Sequence, residues 1–148
     1  MSTLSVKTAI LVISHGSRHA PANDDLHQLV ARLAEAQPDA FLEPAFLELA
    51  EPDIQDGGAR CVERGATRVL MIPYFLSAGI HLLRDLTAAR DRLAESYPSV
   101  EFRLGRALGP DPLLDRLVRA RIDQLAESDE PPRCIDADAA STSVTLSA

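Results

Sequence analysis

The run TAILVIS at residues 8–14, leading straight into HGSR at residues 15–18, decides the fold. Ala9 through Ile13 are apolar without a break. A strand with one wet face alternates apolar and polar residues, so an unbroken run is the mark of a strand covered on both faces, as in a parallel sheet. The next segment reads as a helix: Leu26, Leu29, Val30 and Leu33 recur at helical spacing from about Pro21 to Ala36. Pro21 suits a first helical turn and Pro38 stops the chain from continuing as helix. The same alternation repeats downstream. FLEPAFLE at 41–48 predicts a second strand, with Pro44 marking it as an edge strand. Pro52 opens a helix that runs to about Arg64 and is capped by Gly65. RVLMI at 68–72 is a third strand, PYFLSAGIH at 73–81 a loop, and Leu82–Ser96 a helix with Leu82, Leu86, Ala89 and Leu93 on one face. A short strand at 100–104 leads through GRALGPDP into a last helix, Pro112–Glu127, whose inner face would carry Leu114, Leu117, Val118 and Leu125. Four βα units in succession predict an α/β fold: an open, mostly parallel four-stranded sheet with helices on both faces. Right-handed crossovers favour a flavodoxin-like order with strand 1 central.

Length and composition set the outer limits. At 148 residues the chain suits one domain, with 46% apolar and 25% charged residues, close to the globular average. Aromatics make up 4% with no Trp, so the core must be built from aliphatic side chains. Residues 1–127 are expected to form the domain. From Ser128 the sequence SDEPPRCIDADAASTSVTLSA has little to bury and reads as a disordered tail, 128–148. No apolar run approaches the roughly 20 residues that cross a bilayer, and no small-residue cleavage site comes after the first run, so the expectation is a cytoplasmic protein without a membrane partner. The net charge of −7 speaks against sequence-independent nucleic-acid binding, although a few local arginines can still hold an anionic small molecule. Cys61 and Cys134 lie far apart with no CxxC or Cys–His spacing, which leaves no readable zinc finger or iron–sulfur site. Cys61 fits a small buried helical residue and Cys134 an incidental thiol in the tail.

Chemistry is expected beyond the carboxyl ends of the strands, where the strand order reverses. With strand 1 central, that crevice lies between strands 1 and 3, and each delivers a histidine to it: His15 in SHGSR and His81 in PYFLSAGIH. The neighbouring strand 2 ends at Glu48. Two imidazoles and a carboxylate suit a borderline divalent metal such as Co2+, Fe2+ or Ni2+, and they titrate in the range needed to move protons. Arg18, Arg84 and Arg106 come after these segments and could pair with the carboxylates of a polyanionic substrate. Each residue also has a plainer reading. A histidine after a strand often only hydrogen-bonds its loop, Arg18 and Arg84 could be solvated charges, and Gly16 and Gly79 could be turn residues. His19 and His27 read as surface residues. Glu43 and Glu51 compete with Glu48, and Asp85 is a helix-dipole partner or an acceptor that orients an imidazole.

HGSR at 15–18, AFLELAEP at 45–52, PYFLSAGIHLLRD at 73–85 and LGPDPLL at 108–114 together resemble the signature segments of the small class II sirohydrochlorin chelatases, the cobalt, iron and nickel chelatases. The resemblance covers the chain to about residue 126 in order and spacing. It implies a chelatase-like half-lobe that inserts a divalent metal into sirohydrochlorin without ATP, in cobalamin or siroheme biosynthesis. The metal is then substrate, and no tightly bound cofactor is implied. His15 and His81 match the family's metal-binding histidines and Glu48 its acidic residue. Ser17, Arg18, Ser77, Gly79 and Arg84 flank the histidines as candidate substrate-binding residues. Short members are expected to pair as homodimers. The expected mechanism has His15 and His81 holding the incoming ion while a histidine or Glu48 accepts the displaced pyrrole protons. Two other classes compete: a non-catalytic tetrapyrrole or metal carrier, and a histidine phosphatase, which Ser14 in place of an arginine before His15 disfavours.

Overall fold

The alternation of strand and helix is realised in full in the computed structural model, which describes residues 5–128. The order is β1 (Thr8–Ser14), α1 (Ala20–Ala36), β2 (Phe41–Phe46), α2 (Ile54–Glu63), β3 (Arg68–Pro73), α3 (Ile80–Ser96), β4 (Glu101–Leu104) and α4 (Pro112–Glu127). The expected tail, with Cys134, lies outside the described residues apart from Ser128.

The four strands form one parallel sheet in the order β2-β1-β3-β4, so the flavodoxin-like arrangement with β1 inside is borne out. The edge position inferred from Pro44 is also correct, with Pro44 opposite Val12 on the β1 side. The unbroken apolar run of β1 serves both faces. Ala9, Leu11 and Ile13 enter a core with Ile54 and Cys61 of α2 and Leu86, Ala89 and Leu93 of α3. Val12 points the other way and packs with Leu26 and Val30 of α1 and with Phe46. Thus α1 covers one face, and α2 and α3 share the other.

The close fit of α2 depends on two glycines. A Cβ at Gly57 would stand 2.9 Å from Leu11 Cδ1, and one at Gly58 only 2.6 Å from Leu93 Cδ2. Asp53 caps the helix by accepting a hydrogen bond from the Asp56 amide at 2.8 Å, so Pro52 precedes the helix rather than opening it. Gly65, at φ +87°, comes after the last turn as expected.

The described chain divides into two compact units between Leu114 and Asp115, and the sheet with α1, α2 and α3 lies within the first. Of the residues expected on the inner face of α4, Leu114 is half-buried, while Leu117, Val118 and Leu125 are exposed together with Leu113 and Ile122.

Candidate active site

The carboxyl ends of β1 and β2 remain paired after both strands stop. Leu47 donates its amide to Ser14 O at 2.9 Å and Glu48 to His15 O at 3.0 Å. Gly16 makes this close approach feasible. Its φ is +94°, and a Cβ there would lie 1.8 Å from Glu48 O. Gly16 is thus required by its positive φ and by contact across the strand ends, rather than by a turn. The pairing carries two side chains together: His15 Nε2 is 3.5 Å from Glu48 Oε1, both more than half exposed. As a salt bridge this exposed pair would contribute little. As two donors to one ion the spacing is close to what is needed, since ligands at 2.0–2.2 Å from a zinc-sized ion sit roughly 3–3.4 Å apart.

Beside the pair opens a cavity of about 550 Å³, a size suited to an organic ligand. The β2–α2 turn and the start of α2 supply Leu47, Glu48, Asp53, Ile54 and Gln55. Phe75 comes just after β3, and Leu82, Asp85, Ala88, Ala89 and Arg92 form one face of α3. Gln55 Nε2 donates to Ala89 O at 3.0 Å and ties the two helices together along this wall. The charged side chains lining the cavity are three carboxylates, Glu48, Asp53 and Asp85, and one guanidinium, Arg92.

The other expected residues are distributed differently. His81 is not in the loop before α3 but is the second residue of the helix, which starts two residues earlier than the periodicity indicates. It does not line the cavity, although Asp85, one turn further along α3, does. Among the described residues no three His, Cys, Asp or Glu side chains gather closely enough to hold an ion, so the expected trio is brought together only as far as His15 and Glu48. Ser17 is used in the chain itself: its amide donates to Asn23 Oδ1, its carbonyl accepts from Asn23 Nδ2, and its hydroxyl accepts from the His19 amide. Arg18 and Ser77 are exposed and away from the cavity lining. Gly79 is the residue before α3 with ordinary φ, and nothing within 4 Å would meet a Cβ there, so no turn requires a glycine. Arg84 lies in an adjoining, more open groove with Ile80, Leu83, Thr87 and Asp91, which meets the cavity at Ala88.

Of the competing carboxylates, Glu43 pairs with Arg64 at 2.7 Å, whereas Glu48 is the one paired with His15. His27 packs its ring against Phe46, with centroids 5.7 Å apart, in keeping with a role outside the site. Asp53, Gln55 and Arg92 line the cavity without standing out in the sequence. A signal for Arg92 exists in the spacing of α3, since residues 82, 85, 89 and 92 lie along one helical stripe.

The CbiX family profile matches residues 9–125. The chain belongs to the CbiX family. It is 35% identical over 113 residues to the chloroplastic sirohydrochlorin ferrochelatase of Arabidopsis thaliana, covering 76% of this chain and 50% of the relative. Among solved structures it is similar to the sirohydrochlorin chelatase SirB of Bacillus subtilis subspecies spizizenii in complex with cobalt. The TM-score is 0.72 and the identity 32%, over 82% of this chain and 52% of that one. It is likewise similar to a putative cobalamin biosynthesis CbiX protein of Marinobacter aquaeolei VT8, at TM-score 0.70 and 29% identity, over 81% of this chain and 98% of that one. The chain spans about half the length of the first curated relatives it matches.

Proposed function

We propose that this CbiX-family chain inserts a divalent metal into sirohydrochlorin without ATP, with Co2+ the first choice and Fe2+ the second. The observation that carries the reading is the His15–Glu48 pair at 3.5 Å, held at the strand ends on the edge of a 550 Å³ cavity. Relatives named as sirohydrochlorin ferrochelatases and cobaltochelatases support the substrate and both metals.

In this reading His15 Nε2 and a Glu48 oxygen take the incoming ion and strip part of its water shell. The macrocycle lies in the adjoining cavity, so ion and ring meet without the entropic cost of a free encounter. Each pyrrole N–H that a metal–nitrogen bond replaces releases a proton, and the free carboxylate oxygen of Glu48 or an imidazole receives it. His81, near the start of α3, completes the transfer path as a second imidazole. The metal is consumed, so it is substrate rather than resident cofactor. Neutral imidazole is the form that both ligates the ion and accepts a proton.

The test is anaerobic visible spectroscopy of sirohydrochlorin with Co2+, Fe2+ and Ni2+. Wild type should convert the free-ring spectrum to the metallated one. His15→Ala and Glu48→Gln should each slow conversion at least tenfold, and His81→Ala should slow it as well. Full rates in the His15→Ala/His81→Ala double variant would overturn the assignment. Stoichiometric binding without turnover would identify a carrier instead. We further propose that the chain acts in the cytoplasm, and as a homodimer in which a second copy stands where the longer relatives have their other half. Cell fractionation and solution mass check these.

A further inference from the structure

We propose that Arg92 anchors a carboxylate of the bound macrocycle and so holds the ring in the cavity beside the His15–Glu48 pair, an inference that rests on the function proposed above. The cavity is lined by Glu48, Asp53 and Asp85 against a single guanidinium. Such a field draws in a cation and repels a polyanion, so a polycarboxylate ring needs a local counter-charge to enter. Among the described residues that line the cavity, Arg92 alone supplies one.

Its placement separates the two tasks. On α3 the lining residues Asp85, Ala88, Ala89 and Arg92 share one face, and the stretch from Asp85 to Arg92 spans about 10 Å of helix axis. Between the two charges the wall is two alanines, which leave room for a flat apolar ring. The metal-facing groups therefore sit at the strand ends and the guanidinium at the far end of the helical wall. Arg64, Arg68, Arg90 and Arg103 each have a carboxylate partner, whereas Arg92 enters no ion pair among the described residues. Arg84, one of the three arginines expected for this task, lines the adjoining groove rather than the cavity. A guanidinium suits the role because its fork of N–H donors matches a carboxylate in two-point geometry.

The experiment compares wild type with Arg92→Ala and Arg92→Lys, and with Arg60→Ala as a control for net charge. Two quantities are read: sirohydrochlorin affinity without metal, by absorbance titration, and KM and kcat of metal insertion. Arg92→Ala should raise Kd and KM about tenfold, the loss of one charge-assisted pair in an open cavity, with kcat within about twofold. Arg92→Lys should recover part of the affinity, and Arg60→Ala should match wild type. An Arg92→Ala variant that binds the ring as wild type does overturns the anchor while leaving the chelatase reading intact. Wild type that binds the ring and inserts no metal, with Arg92→Ala binding weakly, keeps the anchor and overturns the chelatase reading. Wild type that does not bind the ring overturns both.

Discussion

Cys61 shows what the buried interior does to a single group. It is fully enclosed between α2 and the sheet, and burial, with the Glu43 carboxylate as the lesser cause, pushes its thiol from the ordinary 9.0 up to about 12. A raised pKa means the folded state holds the proton more tightly than the unfolded one. The associated stability is complete below 9.0 and is lost as pH rises towards 12. The denaturation midpoint should therefore fall across that window in wild type and fall less in Cys61→Ala. An equal decline in both would contradict the assignment. Glu101 runs in the opposite sense. Hydrogen bonds from Arg68 and then Arg103 lower its carboxyl, so its contribution is present at neutral pH and lost on acidification, and its place at the surface keeps it small. At this scale His15 and Glu48 are legible in the sequence because each stands at the end of an apolar run. The choice between Arg84 and Arg92 is not. A residue number says that an arginine lies on a helix, but which face of that helix borders the cavity depends on how the helix is rotated against the sheet.

The seam between β1 and β2 shows how elements create the site. Both strands end a residue or more before His15 and Glu48, and the ladder continues through two further backbone hydrogen bonds. Gly16→Ala would set a Cβ 1.8 Å from the Glu48 carbonyl oxygen, and φ +94° adds strain of about 1–3 kcal/mol. The variant should unfold more readily by at least that amount and should lose metal affinity, because the two ends can no longer close on each other. Thermal melts with calorimetric Co2+ titration check both. Element type and order are readable throughout from the switch between apolar runs and helical spacing. Boundaries are less so. Periodicity extends the loop before α3 to His81, whereas the helix begins at Ile80, since Ile80 and His81 lack the apolar stripe by which a helix start is recognised.

At the scale of the whole molecule, the unit Met1–Leu114 contains the sheet, α1, α2, α3 and every residue lining the cavity. No helix of the described residues is long and apolar enough to cross a membrane. The proposed homodimer predicts a solution mass twice that of one chain by light scattering, and a mass of one chain would remove that proposal. The exposed apolar residues of α4, from Leu113 to Leu125, are where the single chain departs most from the expectation of a helix with an inner face. Apolar periodicity shows that a helix has a face to cover, without saying what covers it. By itself the sequence determined the α/β class and the strand order, and it placed a histidine after strand 1 with several glutamates near the end of strand 2, because these arise from local periodicity and the handedness of crossovers. Only the tertiary structure decided that His15 and Glu48 meet at 3.5 Å, that His81 is not among the cavity-lining residues, and that Arg92 rather than Arg84 lines the cavity. Those outcomes depend on distances between segments far apart in the chain, which are set by the packing of α2 and α3 on the sheet.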